Sequence, residues 1–200
     1  MSFISLMLIA CGSETSIENN TSELPDSTGS KLPRYASDKP GDFNERFKAL
    51  LLAIKKNEKE ELSKFISPEY GLLIVNATGA LPHFVFSREG KRDYEKAMEW
   101  ITENVPDPCE LTNAPLPKID CDSKTFYSKT GCFVRDTNAL KESEIWKFGN
   151  LDEGQEKLAA AAIKNIGRTV IITGSMTFFF TYHNNDWFLA LVDLRKPCQA

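Results

Sequence analysis

The sequence predicts an α+β domain in which helices pack on a curved, mostly antiparallel sheet that ends in a long C-terminal hairpin. Three observations carry this prediction. Apolar residues from Phe43 to Ile54 recur at helical spacing, which gives one apolar face. The segments 176–183 and 187–194 are rich in β-branched and aromatic residues, as strands are. Between them, Asn184-Asn185-Asp186 has the composition of a tight turn.

The helices follow from their spacing and their end signals. The first is predicted to begin at Asp42, which can act as a cap, with Glu45 three positions further on. The later helical segments are a short one carrying Leu62, Phe65 and Ile66, one from Arg92 to Asn104, and one from Asp152 to Asn165 that Gly167 closes in the C′ position.

The strands are predicted from short β-branched or aromatic runs between turn residues. They are Leu72–Val75 and Phe84–Phe86 around a turn at 77–79, a short hairpin of Lys124–Tyr127 and Gly131–Arg135, and Thr169–Thr173, Met176–His183 and Trp187–Leu194. The stretch Pro106–Lys118 should be irregular. Phe178 and Phe180 alternate with Phe179 along one strand, so we expect both faces of the sheet to be largely covered.

Composition limits the classes of function. The chain has 200 residues, 42% of them hydrophobic, which fits a single globular domain over residues 42–200. A net charge of −4 and the lack of a dense Lys/Arg cluster argue against a nucleic-acid partner. The lysines of Lys55–Lys64 alternate with glutamates, as on a solvated helix face.

The amino terminus carries the most specific motif. Leu8-Ile9-Ala10-Cys11 resembles the lipobox of bacterial lipoproteins, in which the cysteine receives diacylglycerol, with acyl chains such as palmitate, and becomes the first mature residue. The resemblance implies a signal peptide over 1–10, lipidation at Cys11 and an anchored position in the bacterial cell envelope, on the periplasmic face or at the cell surface. No basic residue precedes Phe3, so we expect this signal peptide either to be incomplete, with basic residues lost from its start, or to be a weak signal.

The next thirty or so residues predict a tether. Ser, Thr, Asn, Glu, Gly and Pro dominate the range 11–41, and its few apolar residues are isolated. Such a composition buries too little apolar surface to offset the entropy of ordering, so the segment is expected to be disordered.

Both ends of the predicted domain resemble the nuclear transport factor 2-like superfamily, the cone-shaped α+β fold shared with ketosteroid isomerases. At the start, the resemblance rests on the helix from Phe43 to Ile54 and on the segment Asn57–Ile66 before a strand. At the end, it rests on the last two long strands, with Trp187 soon after the turn. The resemblance implies the cone fold, but no Tyr/Asp pair matches an isomerase motif.

Four further cysteines, Cys109, Cys121, Cys132 and Cys198, are candidates for two disulfides, because an exported protein meets an oxidising compartment. Three pairings are open. The proposed hairpin favours Cys121 with Cys132, which leaves Cys109 for Cys198. The spacings contain no C-x₂-C pair, so a zinc site is disfavoured, and free thiols are the other alternative.

No hydrolase, zinc-peptidase, NTP-binding or dinucleotide-binding motif is present, and we predict no metal and no cofactor. The weak catalytic candidates are His183 and Asp186, which flank a turn and could pair for acid–base work. The ordinary alternative is that His183 is a solvent-facing histidine at a strand end. The same non-catalytic interpretation applies to His83.

Three hypotheses of function follow. The first is a non-catalytic, membrane-anchored lipoprotein that binds a small apolar ligand or an envelope protein. The second is a small-molecule enzyme of the cone-fold type, isomerase-like or hydrolase-like, and the third is a structural or assembly factor at the cell surface. A pocket with an ionisable group buried among aromatic rings would favour the enzyme. A filled core with an exposed apolar patch would favour a partner.

Overall fold

The computed structural model describes residues 40–77, 79, 81–87 and 93–198. The predicted signal peptide, Cys11 and nearly all of the predicted tether lie outside these ranges. The helices of the described part are α1 Pro40–Lys55, α2 Lys59–Ser63, α3 Asp93–Asn104 and α4 Glu153–Lys164, with a 3₁₀ turn at Ile145–Phe148. Its strands are β1 Leu72–Ala77, β2 Pro82–Ser87, β3 Leu111–Thr112, β4 Cys132–Arg135, β5 Ile166–Ile172, β6 Thr177–His183 and β7 Asp186–Asp193.

The strands form one mixed sheet in the order β2-β1-β7-β6-β5-β4-β3. The pairs β1–β7 and β3–β4 are parallel, and the other pairs are antiparallel. The α+β class and the mostly antiparallel sheet predicted from the sequence are therefore confirmed.

The C-terminal hairpin is also present as predicted. Strands β6 and β7 pair from Thr177 opposite Asp193 to His183 opposite Asp186. Asn184 and Asn185 fill the two-residue loop, both with positive φ. Asparagine tolerates this left-handed backbone better than most residues, and two such residues match the twist of the flanking strands.

Each face of the sheet carries its own apolar cluster. Phe178 and Phe180 of β6 pack with α1 and α3, on what we call the α1 face. Phe179 lies between them in sequence and packs with Ala159 and Ile163 of α4, on what we call the α4 face. Because side chains alternate along a strand, an uninterrupted apolar run in β6 serves both faces.

Two predicted helix ends are wrong. Helix α1 begins at Pro40, so Asp42 lies inside its first turn and is not the N-cap; proline suits that turn because its fixed φ is already helical. At the other end of the chain, α4 stops at Lys164, and Gly167 lies within β5 instead of closing the helix. Gly167 faces the ring of Trp187, and a Cβ there would stand 3.2 Å from it.

The predicted hairpin of 124–127 and 131–135 does not form. Its second half is β4, which pairs with β5 across the sheet. In its first half, Tyr127 bridges back to Ile119. Ser123 closes this loop, because its hydroxyl accepts the N–H of Tyr127 and donates to the Tyr127 carbonyl oxygen. The segment predicted to be irregular contains the two-residue strand β3.

Strand β2 lies at one end of the sheet, and a side chain occupies its outer hydrogen-bonding groups. The amide oxygen of Asn150 accepts the N–H of Phe84 at 2.6 Å, and the amide nitrogen donates to the Phe84 carbonyl at 3.1 Å. Gly149 precedes it, and a Cβ at that position would collide with the Phe84 ring. The close approach of this segment to β2 therefore requires glycine.

Candidate functional site

The space between α1 and the C-terminal hairpin is occupied by aromatic rings. Phe47 meets Phe178 edge to face at 5.2 Å between ring centroids, and Phe43 meets Phe180 in the same way at 5.2 Å. All four rings are buried. The phenylalanine-rich segments therefore build a core here instead of lining a pocket.

Arg168 of β5 is an ionised side chain buried at the edge of this core, and the sequence analysis did not single it out. The residue is 7% exposed, and its guanidinium lies over the rings of both Phe43 and Trp187. Its Nε donates to Asp136 at 2.6 Å. The group is thus enclosed by rings and neutralised by a carboxylate, which is the environment of a structural ion pair.

The predicted pair of His183 and Asp186 closes the terminal hairpin from opposite strands. The carboxylate of Asp186 accepts the Trp187 N–H and forms an ion pair with Arg46 of α1 at 3.0 Å. Asp186 therefore ties the hairpin to α1. His183 is exposed, and within the described residues its side chain makes no hydrogen bond or ion pair with Asp186. Their acid–base role gains no support from this geometry.

His83 lies on β2 beside Trp100, at 5.7 Å between ring centroids. Its Nε2 is 3.4 Å from the amide nitrogen of Asn150, and its buried Nδ1 has no hydrogen-bond partner. No second ionisable group meets it within the described residues, so it forms no catalytic pair there.

A groove of about 620 Å³ opens on the α4 face, beside the area that α4 covers. Strands β5, β6 and β7 provide its floor. The floor residues are Ile171, Thr177, Phe179 and Asp193. The walls come from the β1–β2 turn, the loop after β3, and the segment that follows β7. They include Leu81, Leu116, Ile119, Tyr127, Lys196 and Pro197. We call this feature the α4-face groove.

The rim of the α4-face groove exposes aliphatic side chains. Leu81 is 66% exposed and Ile119 is 65% exposed, and both line the groove. A single exposed aliphatic residue is ordinary on a protein surface, but two that line one groove add exposed apolar surface to it. This feature fits the binding of an apolar group.

A polar cluster lies within the apolar floor. Asp193 is paired with Arg195, whose Nε and Nη2 donate to the two carboxylate oxygens at 2.9 and 2.7 Å. The carboxylate side chain is 12% exposed and the guanidinium side chain 29%. The hydrogen bond with Asp193 holds the pKa of Arg195 above its ordinary value. The pair is therefore charged and largely satisfied by its own members.

Tyr127 lies beside this pair on the loop wall. Burial raises the pKa of its phenol, a hydrogen bond with Thr177 opposes the rise, and the nearby charge of Asp193 adds to it. The phenol is therefore neutral at physiological pH and offers a hydrogen-bonding group to a bound molecule.

The cysteines form two disulfides, as their even number predicted, but the favoured pairing is wrong. Cys109 is bonded to Cys132, and Cys121 to Cys198. The expected Cys121–Cys132 bond presupposed the hairpin that does not form. Because β3 lies beside β4, with Leu111 opposite Cys132, Cys109 is brought next to Cys132 instead.

The Cys121–Cys198 bond joins two walls of the groove. It fastens the segment after β7, which contains Arg195 and Lys196, to the loop that contains Ile119 and Tyr127. The loop that it closes spans 77 residues, and cross-linking so long a loop stabilises the fold by roughly 4–5 kcal/mol in the chain-entropy model.

Two kinds of feature, a metal-binding cluster and a membrane-spanning helix, are absent from the residues that the structure describes. Within them, no group of three or more histidine, cysteine or acidic side chains is arranged to hold a metal ion. Nor does any helix there have both the length and the apolar character needed to cross a bilayer.

No protein-family model matches this chain, and neither do any curated protein or solved structure with which it was compared. The case for function therefore rests on the residues and geometry of the site.

Proposed function

We propose that this protein is a non-catalytic lipoprotein of the bacterial cell envelope that binds a small apolar ligand in the α4-face groove. The observation that carries the proposal is the groove itself, about 620 Å³ in volume and rimmed by the exposed side chains of Leu81 and Ile119. Small-molecule sites typically measure roughly 300–1,000 Å³ and combine apolar walls with few polar groups.

The polar groups of the groove favour binding over catalysis. A general acid or base needs a proton that it can exchange with a substrate. Asp193 instead accepts the backbone N–H of Arg195 as well as both guanidinium bonds, so its oxygens are already occupied. The ion pair therefore fixes the wall in place and leaves Tyr127 as an orienting group.

We also propose the lipid anchor at Cys11 and a relationship to the cone-shaped fold. Support for the anchor is the lipobox-like sequence Leu8-Ile9-Ala10-Cys11. Support for the fold is that α1, α2, β1 and the terminal hairpin occur in the expected order, with Trp187 following the turn. The filled space under α1 weakens the isomerase-like alternative, which requires an open interior.

The groove is tested by titrating the full chain with the neutral fluorescent probe N-phenyl-1-naphthylamine. The chain carries Cys11→Ser so that no detergent is needed, and it is purified with its disulfides oxidised. We expect saturable enhancement of fluorescence, and at least a fivefold weaker affinity in Leu81→Ser combined with Ile119→Ser, since each buried apolar group contributes about 1 kcal/mol or more.

Leu52→Ser combined with Phe148→Ser is the matched control. These side chains are 44% and 60% exposed, and neither lines the groove. The control should keep the parent affinity. Absence of saturable binding, or an equal loss in both double variants, would overturn the proposal.

The anchor is tested separately by fractionation of cells. The parent chain should be found with membranes, and its processing should be sensitive to globomycin. A Cys11→Ser chain that still fractionates with membranes would contradict the anchor and leave the groove proposal standing.

A further inference from the structure

We infer that the ligand of the α4-face groove is a single-chain aliphatic carboxylate, with its acid group at Lys196 and its chain on the apolar floor. This inference rests on the proposed function, because it names the class of ligand for the same groove. It follows from the distribution of charge along the groove walls.

Among the residues that the structure describes, three ionisable side chains other than tyrosine line the groove: Asp193, Arg195 and Lys196. The first two neutralise each other through a bidentate ion pair. Lys196 is exposed, and within the described residues it makes no ion pair. The lining therefore carries one uncompensated positive charge, although the chain as a whole has a net charge of −4.

The guanidinium of Arg195 adds unused donors next to Lys196. Its Nε and Nη2 donate hydrogen bonds to Asp193, so the two N–H groups of Nη1 do not donate to that carboxylate. A separate small recess shares Arg195 and Lys196 with the groove and is also lined by Lys124. An anionic group bound in the groove at this end thus meets Lys196, the unused donors of Arg195 and one carboxylate whose charge is already compensated.

A cationic ligand lacks a comparable partner. Asp193 is the one carboxylate of the described part of the chain that lines the groove, and its oxygens accept three hydrogen bonds from Arg195. A second cation would have to displace the guanidinium from a bidentate pair, which is among the stronger charge-assisted contacts. The site therefore selects for negative charge.

The remaining lining of the groove is complementary to a hydrocarbon chain. Away from Lys196 and Arg195, the lining includes Leu116, Ile171 and Phe179, and the rim carries Leu81. These side chains cannot compensate a second charge, and they favour the burial of a CH₂ chain, which removes apolar surface from water. One head group and one apolar chain satisfy both parts of the groove.

The test compares three ligands with the same chain: dodecanoate, 1-dodecanol and dodecylammonium. Each competes with N-phenyl-1-naphthylamine for the full chain carrying Cys11→Ser, at neutral pH and below its critical micelle concentration. We expect dodecanoate to displace the probe at a concentration about five- to tenfold lower than dodecanol, and dodecylammonium to be the weakest. Added salt should reduce the advantage of dodecanoate.

Lys196→Gln removes the uncompensated charge without removing the apolar walls. This variant should lower the affinity for dodecanoate severalfold while changing the affinity for dodecanol much less, which reduces the preference for the carboxylate. Lys164→Gln is the control, because Lys164 is exposed on α4 and does not line the groove. It should preserve the preference for dodecanoate.

The outcomes separate the two proposals. If the probe binds and all three ligands compete equally, or if Lys196→Gln retains the preference, the carboxylate inference is overturned and the groove proposal stands. If the probe itself shows no saturable binding, both are overturned.

Discussion

The guanidinium carbon of Arg168, on β5, lies 4.1 Å from the ring centroid of Trp187, which is the first buried residue of β7. Phe43 of α1 covers the same guanidinium at 4.4 Å. Three elements that are distant in sequence therefore meet around one cation. Because the cation is shielded from water, its attraction to the two rings is stronger than at an exposed site.

Replacing Arg168 tests how much this cluster stabilises the fold. Arg168→Met keeps most of the side-chain volume but removes the charge, and it leaves Asp136 with its side chain 64% exposed and thus solvated. We expect the free energy of unfolding in urea to fall by about 2 kcal/mol. Arg135→Met, at an exposed position of β4, should change it by less than about 0.5 kcal/mol. An Arg168→Met chain as stable as its parent would show that the cation contributes nothing.

Two glycines provide a matched test of close packing. Gly149 has an ordinary negative φ, but a Cβ there would overlap the Phe84 ring. Gly149→Ala should therefore lower the free energy of unfolding by about 1–3 kcal/mol through overpacking. Gly79→Ala places a Cβ with no neighbour within 4 Å and should be neutral or slightly stabilising. Equal effects of the two substitutions would refute this account of Gly149.

The two disulfides should have different effects on the groove. Alanine at both Cys121 and Cys198 releases the segment with Lys196 from the opposite wall, so probe affinity should fall at least severalfold. Alanine at Cys109 and Cys132 also removes a cross-link, worth about 3 kcal/mol of stability, but leaves the walls joined. Probe titration and urea unfolding measure the two effects separately. A similar loss of affinity in both variants would mean that the walls depend on general stability.

Tyr70 gives a prediction for alkaline pH. Burial raises the pKa of its phenol to about 12, and Glu69 contributes to the rise. Since the pKa of Tyr70 in the folded state lies above its ordinary value of 10.0, the residue contributes its full stabilisation below pH 10.0. This contribution is lost as the pH rises toward about 12. Tyrosinate absorbance during a pH titration should show a late step that disappears in Tyr70→Phe. Persistence of this step in Tyr70→Phe would assign it to another tyrosine.

Local patterns predicted the elements well, because local chemistry determines them. Asn184 and Asn185 take up the positive φ of a two-residue turn, and the apolar run of β6 identifies a strand covered on both sides. Asp152, which was predicted as the first residue of the fourth helix, is instead its N-cap and forms a capping box with Gln155. Gly167 misled the prediction because α4 passes into β5 through Asn165 without a left-handed residue.

The groove was not predictable from the sequence by the same means. Ile119, Phe179 and Lys196 come from a loop, a strand and the segment after the last strand, and no spacing relates them. The cysteine pairing depends in the same way on which strands are neighbours. Once β3 is known to lie beside β4, the bond between Cys109 and Cys132 follows from proximity.

The amide of Asn150 at the edge of β2 affects how this protein behaves at high concentration. A bare edge strand offers its N–H and C=O groups as a template on which another copy can extend the sheet, the first step toward aggregates and fibrils. By binding both backbone groups of Phe84, a single side chain removes the central pairing site of that edge. A second copy that approaches this edge meets the Asn150 amide at Phe84, where a bare strand would offer free backbone groups.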